Sequence, residues 1–132
     1  MITLSSAVKS LRLQAVPTYL DSGASAGKLR VYDGTQPASG ATPTGNNLLA
    51  ELIFPKPSFD TVTSGIMYFK IPDPVLALLD GTATWVRLLT GDNVFVADLN
   101  AGVSGSGAAC IFDNTTIYAG GTVTALSLAL TE

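Results

Sequence analysis

The chain has 132 residues, of which 47% are hydrophobic and 13% are charged, and its formal net charge is −3 at pH 7. This length predicts one domain, and the composition excludes a disordered chain, which would be polar and rich in charge. The acidic balance argues against a nucleic-acid-binding protein, which would cluster Lys and Arg. The absence of histidine removes the commonest general base and the commonest metal ligand.

The low content of charged residues also indicates what covers the surface. A protein with few surface charges covers itself with small polar groups or with a partner. We therefore predict a β-rich domain that works in a repetitive assembly. The alternative is a free β-domain with a Thr-rich surface.

The first predicted element is a helix from about residue 6 to residue 20. Ser5 or Ser6 can cap its free N–H groups. Pro17 lies inside this segment and is expected to end the helix near Ala15. The loose apolar stripe of the helix consists of four residues: Val8, Leu11, Ala15 and Leu20. We expect this stripe to pack on the β domain or on a neighbouring subunit.

Beyond the helix, the hydrophobic period becomes that of strands. Strands are predicted over residues 28–33, 48–54, 65–71, 82–89, 94–99, 108–112, 115–118 and 123–131. The fourth and fifth strands form a hairpin around residues 90–93. Short strands with turn signals every ~8–12 residues indicate a sandwich or jelly roll. The predicted core consists of Leu29, Val31, Leu52, Trp85, Leu126, Leu128 and Leu130.

The fold class predicted from these elements is mainly β, an antiparallel β-sandwich or jelly-roll-like domain with a short N-terminal α-helix. Residues 1–27 form the helical segment and linker, and residues 28–132 form the β-sandwich domain. No signal segment is visible at the start of the sequence, and the longest apolar run is far shorter than the ~20 residues of a membrane span. We therefore expect synthesis in a cytoplasm and no membrane association.

Residues 74–80 interrupt the strand pattern. Asp73 suits a helix N-cap, Pro74 the first helical position and Gly81 the residue after a helix end, so a helix of one to two turns is predicted. A helix presents every face within one turn, so some of its apolar side chains must meet solvent or a partner. The predicted partner interface consists of Val75, Leu76, Leu78 and Leu79. The alternative is that loops of the same chain cover these side chains.

The sequence predicts no catalytic residue, no cofactor-binding motif and no metal site. Ser104 and Ser106 lie in a Gly-rich stretch that departs from a nucleophile elbow and has no histidine to serve it. Cys110 is the single cysteine, so it cannot form an internal disulfide and is expected to be a buried thiol. Asp92 beside Asn93 is interpreted as a hairpin turn, with a surface cation shared between subunits as the alternative.

Trp85 is the only tryptophan and lies in the middle of a predicted strand. We interpret it as a core anchor, with a sugar-stacking platform as the alternative. Arg87 shares its face and is expected to pair with an aspartate in a turn.

Six segments carry a resemblance to a known family. They are residues 29–38 (LRVYDGTQPA), 48–52 (LLAEL), 81–87 (GTATWVR), 102–107 (GVSGSG), 119–123 (AGGTV) and the Leu-rich final strand. Over residues 5–132, this order resembles the small virion structural proteins of tailed bacteriophages and prophages. The resemblance implies a β-sandwich of the head-decoration or cement type, with no catalytic residues. The sequence departs from the family at residues 74–79, where relatives have a short polar linker.

Together, the resemblance and the composition predict a non-enzymatic structural protein of a tailed-phage virion. We expect a capsid decoration, or cement, protein that binds and stabilises the major capsid shell. Its expected partners are the major capsid protein and copies of itself as a homo-oligomer, without nucleic acid, membrane, cofactor or metal. Its expected location is the virion, after synthesis in the host cytoplasm. Alternatives are a tail, collar or fibre component, and a carbohydrate-binding β-sandwich with Trp85, Tyr32 or Tyr118 as exposed platforms.

Overall fold

The computed structural model describes residues 2–131, apart from the side chain of Ser39. Helix α1 spans Ser6–Leu20 and a 3-10 turn spans Ala38–Gly40. The strands are β1 (Lys28–Tyr32), β2 (Leu48–Ile53), β3 (Phe59–Thr63), β4 (Ile66–Phe69), β5 (Val75–Leu76), β6 (Gly81–Thr82), β7 (Trp85–Leu89), β8 (Phe95–Val103), β9 (Cys110–Phe112), β10 (Thr116–Ile117), β11 (Thr122–Val123) and β12 (Ala125–Thr131). Among these, β3 and β5 had no counterpart among the predicted strands.

Helix α1 forms where the sequence predicts it, but Pro17 does not end it near Ala15. The Oγ of Ser5 accepts a hydrogen bond from the backbone N–H of Val8 at 3.2 Å, which caps the first turn. Pro17 lacks an N–H, yet its carbonyl accepts the N–H of Asp21 at 3.0 Å and closes the last turn. The proline ring is also buried, and this packing offsets the missing hydrogen bond. Among the described residues, no helix is long and apolar enough to cross a membrane.

The face of α1 that packs on the sheet differs from the predicted stripe. Its buried residues are Leu13, Pro17 and Leu20, with Val16 packed at their edge. This spacing of three or four residues defines one helical face, and the helix rests with it on β3, β4 and β8. Of the predicted stripe, only Leu20 is buried, whereas Val8, Leu11 and Ala15 are exposed. Two apolar stripes run along α1, and the sequence prediction selected the outer one.

Eight strands form one sheet in the order β2-β1-β7-β8-β9-β12-β4-β3. Neighbouring strands in this sheet pair antiparallel, except β8 and β9, which are parallel. Two small antiparallel pairs, β5–β11 and β6–β10, complete the strand pairing. Phe54 lies directly after β2, and its ring centroid is 5.8 Å from that of Phe69 in β4. Because β2 and β4 lie near opposite ends of the strand order, the sheet curls around a shared core. The prediction of a mainly β fold with a short N-terminal helix is thus confirmed.

Most of the predicted core is buried. Leu29, Val31, Leu52, Trp85 and Leu128 are each at most 1% exposed. The exceptions lie in the last strand, where Leu126 is 51% exposed and Leu130 is only partly buried.

A register shift explains why the last strand departs from simple alternation. The pairing of β12 with β9 is irregular between Ala125 and Ser127. As a result, Ala125 and Leu128 both reach the core, three residues apart, and Leu126 faces outward. The prediction that Leu126 shares the inner face of Leu128 is therefore wrong.

The helix predicted over residues 74–80 is also wrong, because this segment is extended. Val75 pairs with Val123, and Leu76 pairs with Thr122 in β11. The extended backbone gives the N–H and C=O of Ala77 partners in a neighbouring turn, at 2.8 and 2.9 Å. It also buries Ala77 and half-buries Val75, because alternate residues of an extended chain face the same side.

Candidate interaction surface

Three exposed leucines lie in β5 and in the extended segment that follows it. Leu76, Leu78 and Leu79 are 64%, 58% and 47% exposed, and Tyr118 in the adjoining turn is 67% exposed. We call these four residues the leucine edge. Of the four residues predicted as a partner interface, Val75 instead packs against the core. The loops of the described chain do not cover Leu76, Leu78 and Leu79, which remain exposed.

The backbone of the leucine edge is held on both sides. Ala77 exchanges two hydrogen bonds with the turn at residues 118–121, and Leu78 donates its N–H to the carbonyl of Leu49 at 2.7 Å. The Oδ1 of Asp80 accepts a backbone N–H from the same turn at 2.6 Å. A backbone fixed in this way has little conformational freedom left to lose when a partner covers its side chains.

The two chain segments that carry the leucine edge contain acidic residues but no basic residue. Residues 71–83 contain Asp73 and Asp80, both exposed, and no Lys or Arg. Residues 115–124, which include Tyr118, contain no charged residue. Beside the edge lies an open groove of about 400 Å³, lined by Ile53, Phe54, Pro55, Asp73 and Val75.

A second exposed apolar surface lies on the outer side of α1. Its members are spaced by three or four residues and so share one helical face: Val8, Leu11, Ala15 and Tyr19. We call these residues the helix stripe. Leu11 is 65% exposed and Tyr19 is 50% exposed. Residues 2–20 contain Lys9 and Arg12, both exposed, and no acidic residue.

A buried ion pair lies between β7 and β8. Nε of Arg87 donates to Oδ1 of Asp98 at 2.7 Å, and its Nη2 donates to Oδ2 at 2.9 Å. The two side chains are only 8% and 5% exposed. The same Nη2 donates to the carbonyl of Ala41 at 2.7 Å. The hydrogen bonds to Asp98 raise the pKa of Arg87, so the guanidinium stays charged and ties the loop before β2 to the sheet.

This pair corrects the expectation that Arg87 binds an aspartate in a turn. Asp98 lies within β8, directly opposite Arg87 in the strand pairing. The guanidinium carbon also lies 5.4 Å from the ring centroid of Trp85 and 5.0 Å from that of Phe95. These distances are typical of cation–π contacts.

Trp85 is a core anchor, as predicted. Its side chain is 1% exposed, and its Nε1–H donates to the carbonyl of Asp33 at 3.0 Å. Its ring stacks on that of Tyr32, which is 7% exposed, with centroids 4.6 Å apart. A sugar ring has no access to either of these aromatic faces, so their proposed role as exposed platforms is wrong. Tyr118 alone of the three candidate platforms is exposed.

The remaining candidates for chemistry are placed as follows. Ser104 and Ser106 are exposed in the turn after β8, and Cys110 is fully buried. Burial raises the pKa of the Cys110 thiol to about 12, so it stays protonated and unreactive near neutral pH.

Asn93 adopts a φ of 64° in the hairpin turn, and its Oδ1 accepts a hydrogen bond from Nζ of Lys28 at 2.8 Å. Between residues 2 and 131, no group of three or more acidic or thiol side chains could hold a metal ion.

No protein-family model, no curated protein and no solved structure matches this chain. What the protein does is therefore inferred from its own surfaces, above all from the leucine edge.

Proposed function

We propose that the chain is a non-enzymatic structural protein of a tailed-phage virion that decorates the capsid and stabilises its shell. The observation that carries this proposal is the leucine edge, an exposed apolar surface on a hydrogen-bonded β scaffold. Such surfaces on a protein of low charge favour permanent assembly. The sequence resemblance to small virion proteins points in the same direction.

A decoration protein works by adding buried surface across the joints of a shell. Packaged DNA strains the shell, and many copies of a small rigid domain multiply a modest contact into substantial stability. The net charge of −3 suits this environment, because an acidic surface does not attract nucleic acid. We propose the major capsid protein and further copies of the chain as the partners, and the virion as the location.

The same proposal extends to the shape of the β domain. We propose that the curled sheet packs as a sandwich, in which its two ends face each other across the core. The contact between Phe54 and Phe69 supports this, since it joins the residue after β2 to β4, and these two strands lie near opposite ends of the strand order. A rigid two-layered body of this kind suits a clamp between capsid subunits.

Replacing Leu76 and Leu79 with Ser tests the interface. The double variant is expected to fold normally, because both side chains face outward, and to lose binding to particles that lack the chain. Binding is measured as the amount of added protein that sediments with purified particles. The matched control is Leu126→Ser, which changes a leucine of intermediate exposure, 51% against 64% for Leu76 and 47% for Leu79, outside the leucine edge. This control is expected to bind as the unmodified chain does.

Two results would contradict the interface. A double variant that folds and decorates particles at full occupancy would show that the leucine edge contacts nothing there. A double variant that unfolds in the absence of particles would assign these side chains to the core. Urea unfolding of the free proteins distinguishes loss of binding from loss of folding.

A further inference from the structure

We draw no further inference here: the strongest candidate, the helix stripe of Val8, Leu11, Ala15 and Tyr19 on the outer side of α1, is an exposed apolar surface, and nothing in the structure shows what covers it.

Discussion

Leu128→Ala is expected to lower the free energy of unfolding by about 2–5 kcal/mol, because it opens a cavity in a packed core. Leu128 is 1% exposed and belongs to the core shared by the two ends of the sheet. The matched control is Leu126→Ala in the same strand, where the side chain is 51% exposed. Its expected cost is much smaller, near the ±0.5 kcal/mol typical of surface substitutions. Equilibrium unfolding in urea measures both variants.

This comparison tests the register shift in β12 directly. Strict alternation would place Leu126 and Leu128 on the same face, and their truncation would then cost similar amounts. Equal losses for the two variants would contradict the irregular pairing between Ala125 and Ser127. A Leu128→Ala variant as stable as the unmodified chain would remove this strand from the core.

Arg87→Met is expected to cost about 3–5 kcal/mol, because it leaves the Asp98 carboxylate buried without its partner. The carbonyl of Ala41 would lose its donor at the same time. The matched experiment combines Arg87→Met with Asp98→Leu, which replaces the ion pair by two apolar side chains. Replacing both members of a buried pair is often far less harmful than removing one, so we expect the double variant to be more stable than Arg87→Met alone.

A double-mutant cycle in urea measures the coupling between the two side chains. The expected result is a double variant whose loss is clearly smaller than the sum of the two single losses. Strictly additive losses would show that Arg87 and Asp98 do not interact. That outcome would contradict the buried pair and its role in holding the loop before β2.

The sequence predicted the local elements well because they depend on local signals. The cap at Ser5 and the alternation in β1 are each encoded within a few residues. The start of the helix was also predicted, but not its end, which lies at Leu20 instead of near Ala15, nor the face that packs. Two apolar stripes run along α1, and only the sheet beneath determines that Leu13 faces inward and Leu11 outward.

Long-range pairing explains the other differences. From the pair Leu89–Phe95, counting outward along the hairpin would place Arg87 opposite Ala97. A register shift between Leu88 and Leu89 places it opposite Asp98 instead, and no local signal in the sequence marks this shift.

The candidate surface was predicted in part, although the argument for it was wrong. A short helix was expected to expose some of its apolar residues, but the segment is extended. In a strand, alternation sends Val75 and Ala77 inward and leaves Leu76 outside. The extended form depends on β11, which is distant in sequence, so residues 73–81 alone could not predict it. Tyr118 could not be assigned to the leucine edge from the sequence either, because it is distant in sequence from residues 76–79.

The central claim is that this chain covers a shell and binds through the leucine edge. A density map of the intact particle tests it most directly. We predict many copies spread over the outer surface of the capsid, with Leu76, Leu78 and Leu79 covered by capsid protein or by a neighbouring copy. Absence of the chain from the shell, a few copies confined to the neck or tail, or a leucine edge that faces solvent in the assembled particle would contradict it.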